Sequence, residues 1–95
     1  MATRSEASEL AFVFGLLSDG TRLGILKILS GSPKNVTALC KALGVKQPTI
    51  SHHLGLLRMG RLVKGTRKGK SVIYSADAAC LKVLGVEIAK LAPKR

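Results

Sequence analysis

The sequence predicts a mainly α-helical domain with one small β-hairpin, made of five helices and two strands. Glycines and other turn residues divide the chain into five segments in which apolar residues recur at helical spacing. A sixth segment alternates apolar and polar residues on both sides of a Lys-Gly pair, which is typical of a hairpin. With 95 residues, 46% of them apolar, the chain has material for one small core. Residues 1–95 are therefore expected to form a single domain.

The first helix, predicted over about 5–17, has apolar residues on two sides. One face carries Leu10, Val13, Phe14 and Leu17. Phe12 and Leu16 point nearly the opposite way, since successive helical residues diverge by about 100°. A helix that is apolar on both sides needs two partners. We therefore expect Phe12 and Leu16 to contact something other than the domain's own core.

The second and third helices have clear start signals. The second, about 21–29, follows the capping candidates Ser18 and Asp19. Asn35 can cap the third helix. The apolar stripe of the third helix, spaced at i, i+3, i+4 and i+7, is Val36, Leu39, Cys40 and Leu43. Cys40 is thus expected to be buried, and Gly44 ends the helix.

The fourth helix follows the third after a very short turn. It begins with Pro48 in its first turn, where a missing N–H costs nothing, and it ends at Gly60. Two short helices joined by a tight glycine turn predict a helix-turn-helix.

The hairpin and the last helix complete the domain. The segment "RLVKGTRKGKSVIYSA" (61–76) predicts two strands around a basic tip at Lys68-Gly69. The last helix, about 77–91, carries one apolar stripe, and Val83 and Val86 add apolar surface elsewhere. The stripe is Cys80, Leu81, Leu84, Ile88 and Leu91. Like the first helix, it has more apolar surface than one small core covers.

The positive charge of the chain is concentrated in its second half. The net charge is +11; residues 1–57 hold six basic and three acidic residues, and residues 58–95 hold ten basic and two acidic residues. The densest part, with no acid inside it, is Arg58, Arg61, Lys64, Arg67, Lys68 and Lys70. Such a block suggests a polyanion partner, because each cation placed on a phosphate releases counterions. The alternative is an ordinary solvated surface.

The two histidines, in "VKQPTISHHLGLLRMG" (45–60), are adjacent on the fourth helix. His53 shares one side of the helix with Ile50, Leu54 and Leu57 and is expected to lie in the core, whereas His52 lies on the other side. The two histidines are therefore not expected to chelate one ion; zinc-binding helices space their histidines by about three or four residues. The helix instead presents a polar, uncharged side that suits the major groove of DNA, where Gln, Ser and Thr contact base edges or phosphates. Candidate reading residues are Gln47, Thr49, Ser51 and His52, followed by Arg58 and the hairpin cations Arg67, Lys68 and Lys70.

Three segments resemble the ArsR/SmtB family of bacterial winged helix-turn-helix transcriptional repressors. They are "LSDGTRLGILKIL" (17–29), "VTALCKALGVKQPTISHHLGLLRMGRLVKGTRKGKSVIYS" (36–75) and the helix that follows. The resemblance implies five helices plus a two-stranded wing, with helix 47–59 reading double-stranded DNA and wing 61–75 touching the backbone or minor groove. It also implies a homodimer built from the first and last helices. The interface residues predicted on this basis are Phe12, Leu16, Leu81, Leu84 and Ile88.

The family's metal sites do not carry over to this chain. Arsenic- and cadmium-sensing members open the third helix with Cys-x-Cys, where this chain has Asn35 and Thr37, which leaves Cys40 alone. Zinc-sensing members use Asp, His, His and Glu of the last helix. The corresponding positions here are Ala78, Cys80, Leu91 and Lys94. No metal and no cofactor are therefore expected.

One sensor feature of the family matches in part. Thiol-based members place a cysteine just inside the last helix after an Asp, as Asp77 and Cys80 do here. Their partner cysteine, near Lys27, is missing, and Cys40 is a conceivable substitute. Cys80 is thus a candidate redox or sulfur sensor, and the alternative is a small core or interface residue.

The sequence favours a cytoplasmic homodimeric repressor that reads an inverted-repeat operator. No enzyme is expected, because the five acids form no cluster and no Ser or Cys lies in a nucleophile motif. No membrane partner is expected, since no run of about 18 apolar residues occurs. The alternatives are a sequence-tolerant, chromatin-like DNA binder, a thiol-responsive repressor and a module that binds another protein.

Overall fold

A computed structural model of the chain describes residues 4–91. The elements in order are α1 (Arg4–Leu17), α2 (Gly20–Leu29), α3 (Val36–Leu43), α4 (Gln47–Met59), β1 (Val63–Lys68), β2 (Ser71–Ala76) and α5 (Ala78–Lys90). The five predicted helices and the hairpin are confirmed. Within the described residues, no helix has the length and apolar character needed to span a bilayer.

The core is formed mainly by α2, α3 and α4, with contributions from both ends of the chain. Its buried apolar residues are Leu16, Ile25, Leu26, Leu29, Leu39, Ile50, Leu54, Leu57, Leu62, Val63 and Leu84. Leu16 and Leu84 were expected at a dimer interface, but each is only 6% exposed within its own chain. They have little surface left for a second copy. Helical spacing alone did not reveal that the end of α1 and the middle of α5 reach the central core.

The turn between α3 and α4 forms as the sequence predicted. The Asn35 side chain accepts a hydrogen bond from the Ala38 N–H at 2.8 Å and caps α3. Gly44 ends α3 in the left-handed conformation, with φ of 66°, which a residue without Cβ adopts at no steric cost. Pro48 lies in the first turn of α4. These contacts fix α3 and α4 as a helix-turn-helix.

Helix α4 ends at Gly60, as the sequence predicted, but Gly60 is not the residue in the left-handed conformation. Gly60 has φ of −83°, and Arg61 takes the left-handed conformation with φ of 61°. The N–H groups of Arg61 and Leu62 donate to the carbonyls of Arg58 and Leu57, each at 3.0 Å. Gly60 is required for another reason: a Cβ there would overlap the Cδ1 atom of Leu16.

The hairpin is tied to the helices by a third, very short strand segment. Tyr74 pairs with Gly65 across the hairpin and also exchanges two backbone hydrogen bonds with Lys34, at 3.0 and 2.8 Å. Sequence patterns missed this segment, since one bridging residue shows no alternation. At the hairpin tip, Gly69 has φ of 62°, which suits a two-residue turn with glycine first.

Gly60→Ala is expected to destabilise the protein by about 1–3 kcal/mol, because the added methyl group displaces Leu16 from a packed core. Gly55→Ala is the matched control within the same helix, since a Cβ there meets nothing within 4 Å. That change should stabilise α4 by about 0.5–1 kcal/mol. Urea unfolding at equal protein concentration measures both effects. Equal stability of the two variants would contradict the packing of Leu16 on Gly60.

A second prediction concerns Asp19, whose side chain caps α2 by accepting from the Arg22 N–H at 3.0 Å. This hydrogen bond, assisted by the Arg22 charge, lowers the pKa of the Asp19 carboxyl below its ordinary 3.8. A lowered folded-state pKa stabilises the fold above the unfolded-state pKa, and the stabilisation disappears as pH falls through the folded value. Asp19→Asn keeps a capping oxygen but has no charge.

The wild type should therefore be more stable than Asp19→Asn at pH 6 and lose that advantage as the pH falls below about 4. Urea midpoints of both proteins between pH 6 and pH 2.5 measure this difference. An advantage that stays constant down to the lowest pH would show that the Asp19 charge does not contribute.

Candidate nucleic-acid interface

One side of helix α4 is buried in the core and the other side is exposed. Ile50 and Leu57 are fully buried and Leu54 is 1% exposed. All the residues of α4 that the sequence proposed as DNA contacts are exposed, namely Gln47, Thr49, Ser51, His52 and Arg58. Met59, which the sequence did not single out, is 68% exposed at the end of the same helix. The free side of α4 is therefore polar and neutral over most of its length, and a cation lies near its end.

The adjacent histidines point to different environments. Their ring centroids lie 5.6 Å apart; His52 is exposed, whereas the His53 side chain is 13% exposed. His53 was expected in the apolar core, but its Nδ1 atom lies 3.1 Å from Nη1 of Arg22. His53 is thus half-buried in a polar contact. This partner lies 31 residues away in the chain, so no local pattern signals it.

The hairpin carries its cations on exposed positions. Arg67, Lys68 and Lys70 lie at or beside its tip, and Arg61 and Lys64 precede them. Within residues 4–91 the structure gives none of these five a carboxylate partner within ion-pair distance. Cations that are not neutralised inside the protein remain available for an external polyanion.

The two thiols lie near the core and not on the free side of α4. Cys40 and Cys80 are both reduced and half-buried, and both pack against the core cluster. The Sγ atom of Cys80 lies 3.9 Å from the Gly60 carbonyl oxygen. Burial, followed by the nearby charge of Asp77, raises the pKa of the Cys80 thiol. The start of a helix ordinarily favours a thiolate, but at Cys80 burial acts in the opposite direction and the pKa of the thiol is raised.

The positions compared with metal ligands offer no cluster of donors. Asn35 is engaged in capping α3, and Thr37 is exposed next to it. On α5, Ala78 and Leu91 provide no donor atom in their side chains, and Lys94 lies outside the described residues. Among residues 6–91 no three His, Cys, Asp or Glu side chains come together.

Helices α1 and α5 leave apolar side chains uncovered. Of the residues predicted for a dimer interface, Phe12 and Ile88 are 47% and 52% exposed, and Leu81 is half-buried. Val83, Val86 and Leu91 of α5 are more exposed than either, at 60%, 56% and 78%. The sequence analysis placed Val83 and Val86 off the apolar stripe of the last helix, whereas it placed Leu91 on that stripe.

Comparison with known proteins gives one consistent result. The model of bacterial regulatory proteins of the arsR family matches residues 19–64. The transcriptional repressor SdpR of Bacillus subtilis is 33% identical over 70 residues, which cover 74% of this chain and 78% of SdpR. The chain spans between 53% and 78% of the length of the first curated relatives it matches.

Solved structures agree with the sequence matches. An ArsR-like transcriptional regulator from a Rhodococcus species superposes with a TM-score of 0.82 at 32% identity, covering 90% of this chain and 80% of that one. A homodimeric winged helix-turn-helix DNA-binding domain from Mycobacterium bovis gives a TM-score of 0.77 at 27% identity, covering 94% and 85%. The relatives are transcriptional regulators and not enzymes. The exposed α4, the hairpin wing and these matches show that the chain belongs to the arsR family of bacterial regulatory proteins.

Proposed function

We propose that this chain is a homodimeric repressor that reads an inverted-repeat operator in double-stranded DNA with α4 and holds it with the wing, residues 61–75. The observation that carries the proposal is the contrast between these two surfaces. The free side of α4 is neutral and polar, whereas the wing carries cations without a carboxylate partner. Such a regulator acts in the cytoplasm, where bacterial DNA lies.

The two surfaces suit different parts of a DNA site. Gln47 and Ser51 have the hydrogen-bonding groups that read base edges, and Gly55 between them and Arg58 leaves room for close approach. Arg67 and Lys68 at the wing tip suit phosphates, which every sequence presents alike. We therefore assign sequence preference to α4 and most of the sequence-independent affinity to the wing.

A second copy of the chain explains the uncovered apolar surface of α1 and α5. Exposed side chains such as Phe12, Val83 and Ile88 lose contact with water when two copies pair. The chain has a radius of gyration of 14.7 Å, whereas a compact domain of this length has about 12 Å. The Mycobacterium bovis domain of similar fold is a homodimer, and SdpR is a repressor. The uncovered apolar side chains and the large radius of gyration support a homodimer of this chain as well.

We propose that metal ions do not switch this protein. A structural or sensing zinc site needs about four N, S or O ligands in tetrahedral arrangement. The described residues bring together no three candidate ligands, and the imidazole of His53 is occupied by Arg22. The conformation of the surface that contacts DNA would thus not depend on a bound metal ion.

Two alternatives are less well supported by the same residues. A chromatin-like protein binds DNA through phosphate contacts alone, and cations on the free side of α4 would strengthen that binding. The free side of α4 is neutral over most of its length, which does not favour this alternative. A thiol-responsive repressor needs a thiolate, whereas burial raises the pKa of Cys80 and hides part of its side chain. We therefore place Cys80 in a packing role.

The division between reading and holding can be tested with a duplex that the wild type selects from random sequence. Gln47→Ala or Ser51→Ala should cost about 1–3 kcal/mol on that duplex and relax preference at defined base pairs. Arg67→Ala or Lys68→Ala should weaken binding to selected and random duplexes alike. Each of these two should also reduce the salt slope by about 1.

Lys82→Ala, which removes one exposed charge from α5, serves as the control for lost charge. Affinities for both duplexes are measured by fluorescence anisotropy across a salt series. If all four variants lose equally on both duplexes, α4 is not the reading element.

A further prediction concerns the thiol. Cys80→Ser should bind the selected duplex within about threefold of the wild type, a difference of less than about 1 kcal/mol. Mild peroxide or polysulfide should leave the wild type bound, because a protonated, half-buried thiol reacts slowly. Gel-shift titration of both proteins measures this. Release of the wild type by oxidant, with Cys80→Ser unaffected, would identify Cys80 as a sensor.

A further inference from the structure

A single guanidinium group, that of Arg22 on α2, connects its own helix to α1 and α4. Its Nε–H donates to the Leu16 carbonyl at the end of α1, at 2.6 Å. Its Nη1 lies 3.1 Å from Nδ1 of His53 in the middle of α4. The backbone N–H of the same residue donates to Asp19 at the start of α2. Arg22 therefore contacts the end of α1, the start of α2 and the middle of α4.

The contacts made by Arg22 are sheltered from solvent. The His53 side chain is only 13% exposed, and Arg22 is half-buried. An arginine has donors only, so Nδ1 of His53 is the acceptor when these two groups hydrogen-bond. The Asp19 Oδ2 atom lies 4.0 Å from the same Nδ1 atom. Loss of Arg22 would leave both the Leu16 carbonyl and His53 without their donor in a partly desolvated place. The contact is thus specific in geometry and costly to break.

The Arg22 contact adds a directional constraint on α4 to the packing of the apolar core. Ile50, Leu54 and Leu57 hold the helix down through contacts that have no fixed direction. A hydrogen bond does have direction, and His53 directly follows the exposed His52 on the helix. A small rotation of α4 about its axis would stretch the Arg22 contact and turn the reading residues away from base edges at the same time.

We infer that Arg22 is a positioning residue for DNA reading: it sets the rotation of α4 relative to α1 without touching DNA itself. The inference rests on the proposed function, in which α4 reads bases and α1 belongs to the dimer interface. Leu16 contributes twice at this junction, since its side chain packs on Gly60 and its carbonyl accepts from Arg22. A shift of α1 in the dimer is transmitted to α4 through these two contacts.

The test separates positioning from mere stabilisation by comparing two affinities. Arg22→Gln removes the guanidinium, and Lys27→Gln removes one exposed charge from the same helix as the matched control. Binding to the selected duplex and to a random duplex is measured at one salt concentration. The temperature is chosen so that circular dichroism shows each variant folded.

The expected result for Arg22→Gln is a loss of about tenfold on the selected duplex. The affinity of Arg22→Gln for the random duplex should stay within about twofold of the affinity of Lys27→Gln for that duplex. Arg22→Lys should behave like Arg22→Gln, because one ammonium does not reproduce the planar fork that reaches both acceptors.

Variants of His53 give a second, independent readout. His53→Asn keeps an acceptor oxygen near the position of Nδ1 and should retain the preference for the selected duplex within about twofold. His53→Leu removes the acceptor and should lose that preference as Arg22→Gln does. The double variant Arg22→Gln with His53→Leu should lose no more of the preference for the selected duplex than the worse single variant loses, because both changes break the same contact.

Equal losses on both duplexes, or an unchanged preference in Arg22→Gln, would overturn the inference and leave Arg22 a residue that only stabilises the fold. Additive losses in the double variant would overturn it as well. If the wild type itself prefers no duplex, the proposed function fails and the inference fails with it. The wild-type measurement therefore distinguishes the two failures.

Discussion

The burial of one side of α4 is the constraint on which the rest of this structure depends. Because an α-helix repeats every 3.6 residues, placing Ile50, Leu54 and Leu57 in the core decides which residues face outward. Those residues include Gln47 and Ser51, which are neutral and able to hydrogen-bond to base edges. The tight Gly44 turn, the wing and the neighbouring helices all serve to hold α4 in this position. The proposed DNA-reading surface is thus a direct consequence of packing.

The charge of the protein complements this arrangement without repeating it. Neutral groups on α4 suit recognition of particular bases, because their contribution to the binding free energy changes only when the contacted base pair changes. Cations of the wing attract nucleic acid of any sequence, and salt weakens this attraction. Separation of the two roles into a helix and a hairpin lets affinity and specificity change independently. In the proposed homodimer, the uncovered apolar side chains of α1 and α5 would determine how two such units are spaced.

Local sequence patterns were enough to predict the elements and much of the surface. Helical spacing located all five helices, and the alternation around Lys68-Gly69 located the hairpin. The exposed reading residues also followed from the helical repeat. Patterns failed where the structure depends on contacts between distant segments: the packing of Leu16 on Gly60, the strand bridge from Lys34 to Tyr74, and the Arg22 contact with His53. Such contacts leave no periodic trace in a single sequence.

The most direct test of the account is a DNase footprint on a duplex selected by the wild type. A twofold dimer that presents two α4 helices should protect an inverted repeat. The centres of its half-sites should lie about one helical turn, roughly 34 Å, apart. The same protein on a scrambled duplex of equal length should give no protection at that concentration. Uniform protection of both duplexes, without a repeated pattern, would contradict the account and favour a binder that senses only phosphates.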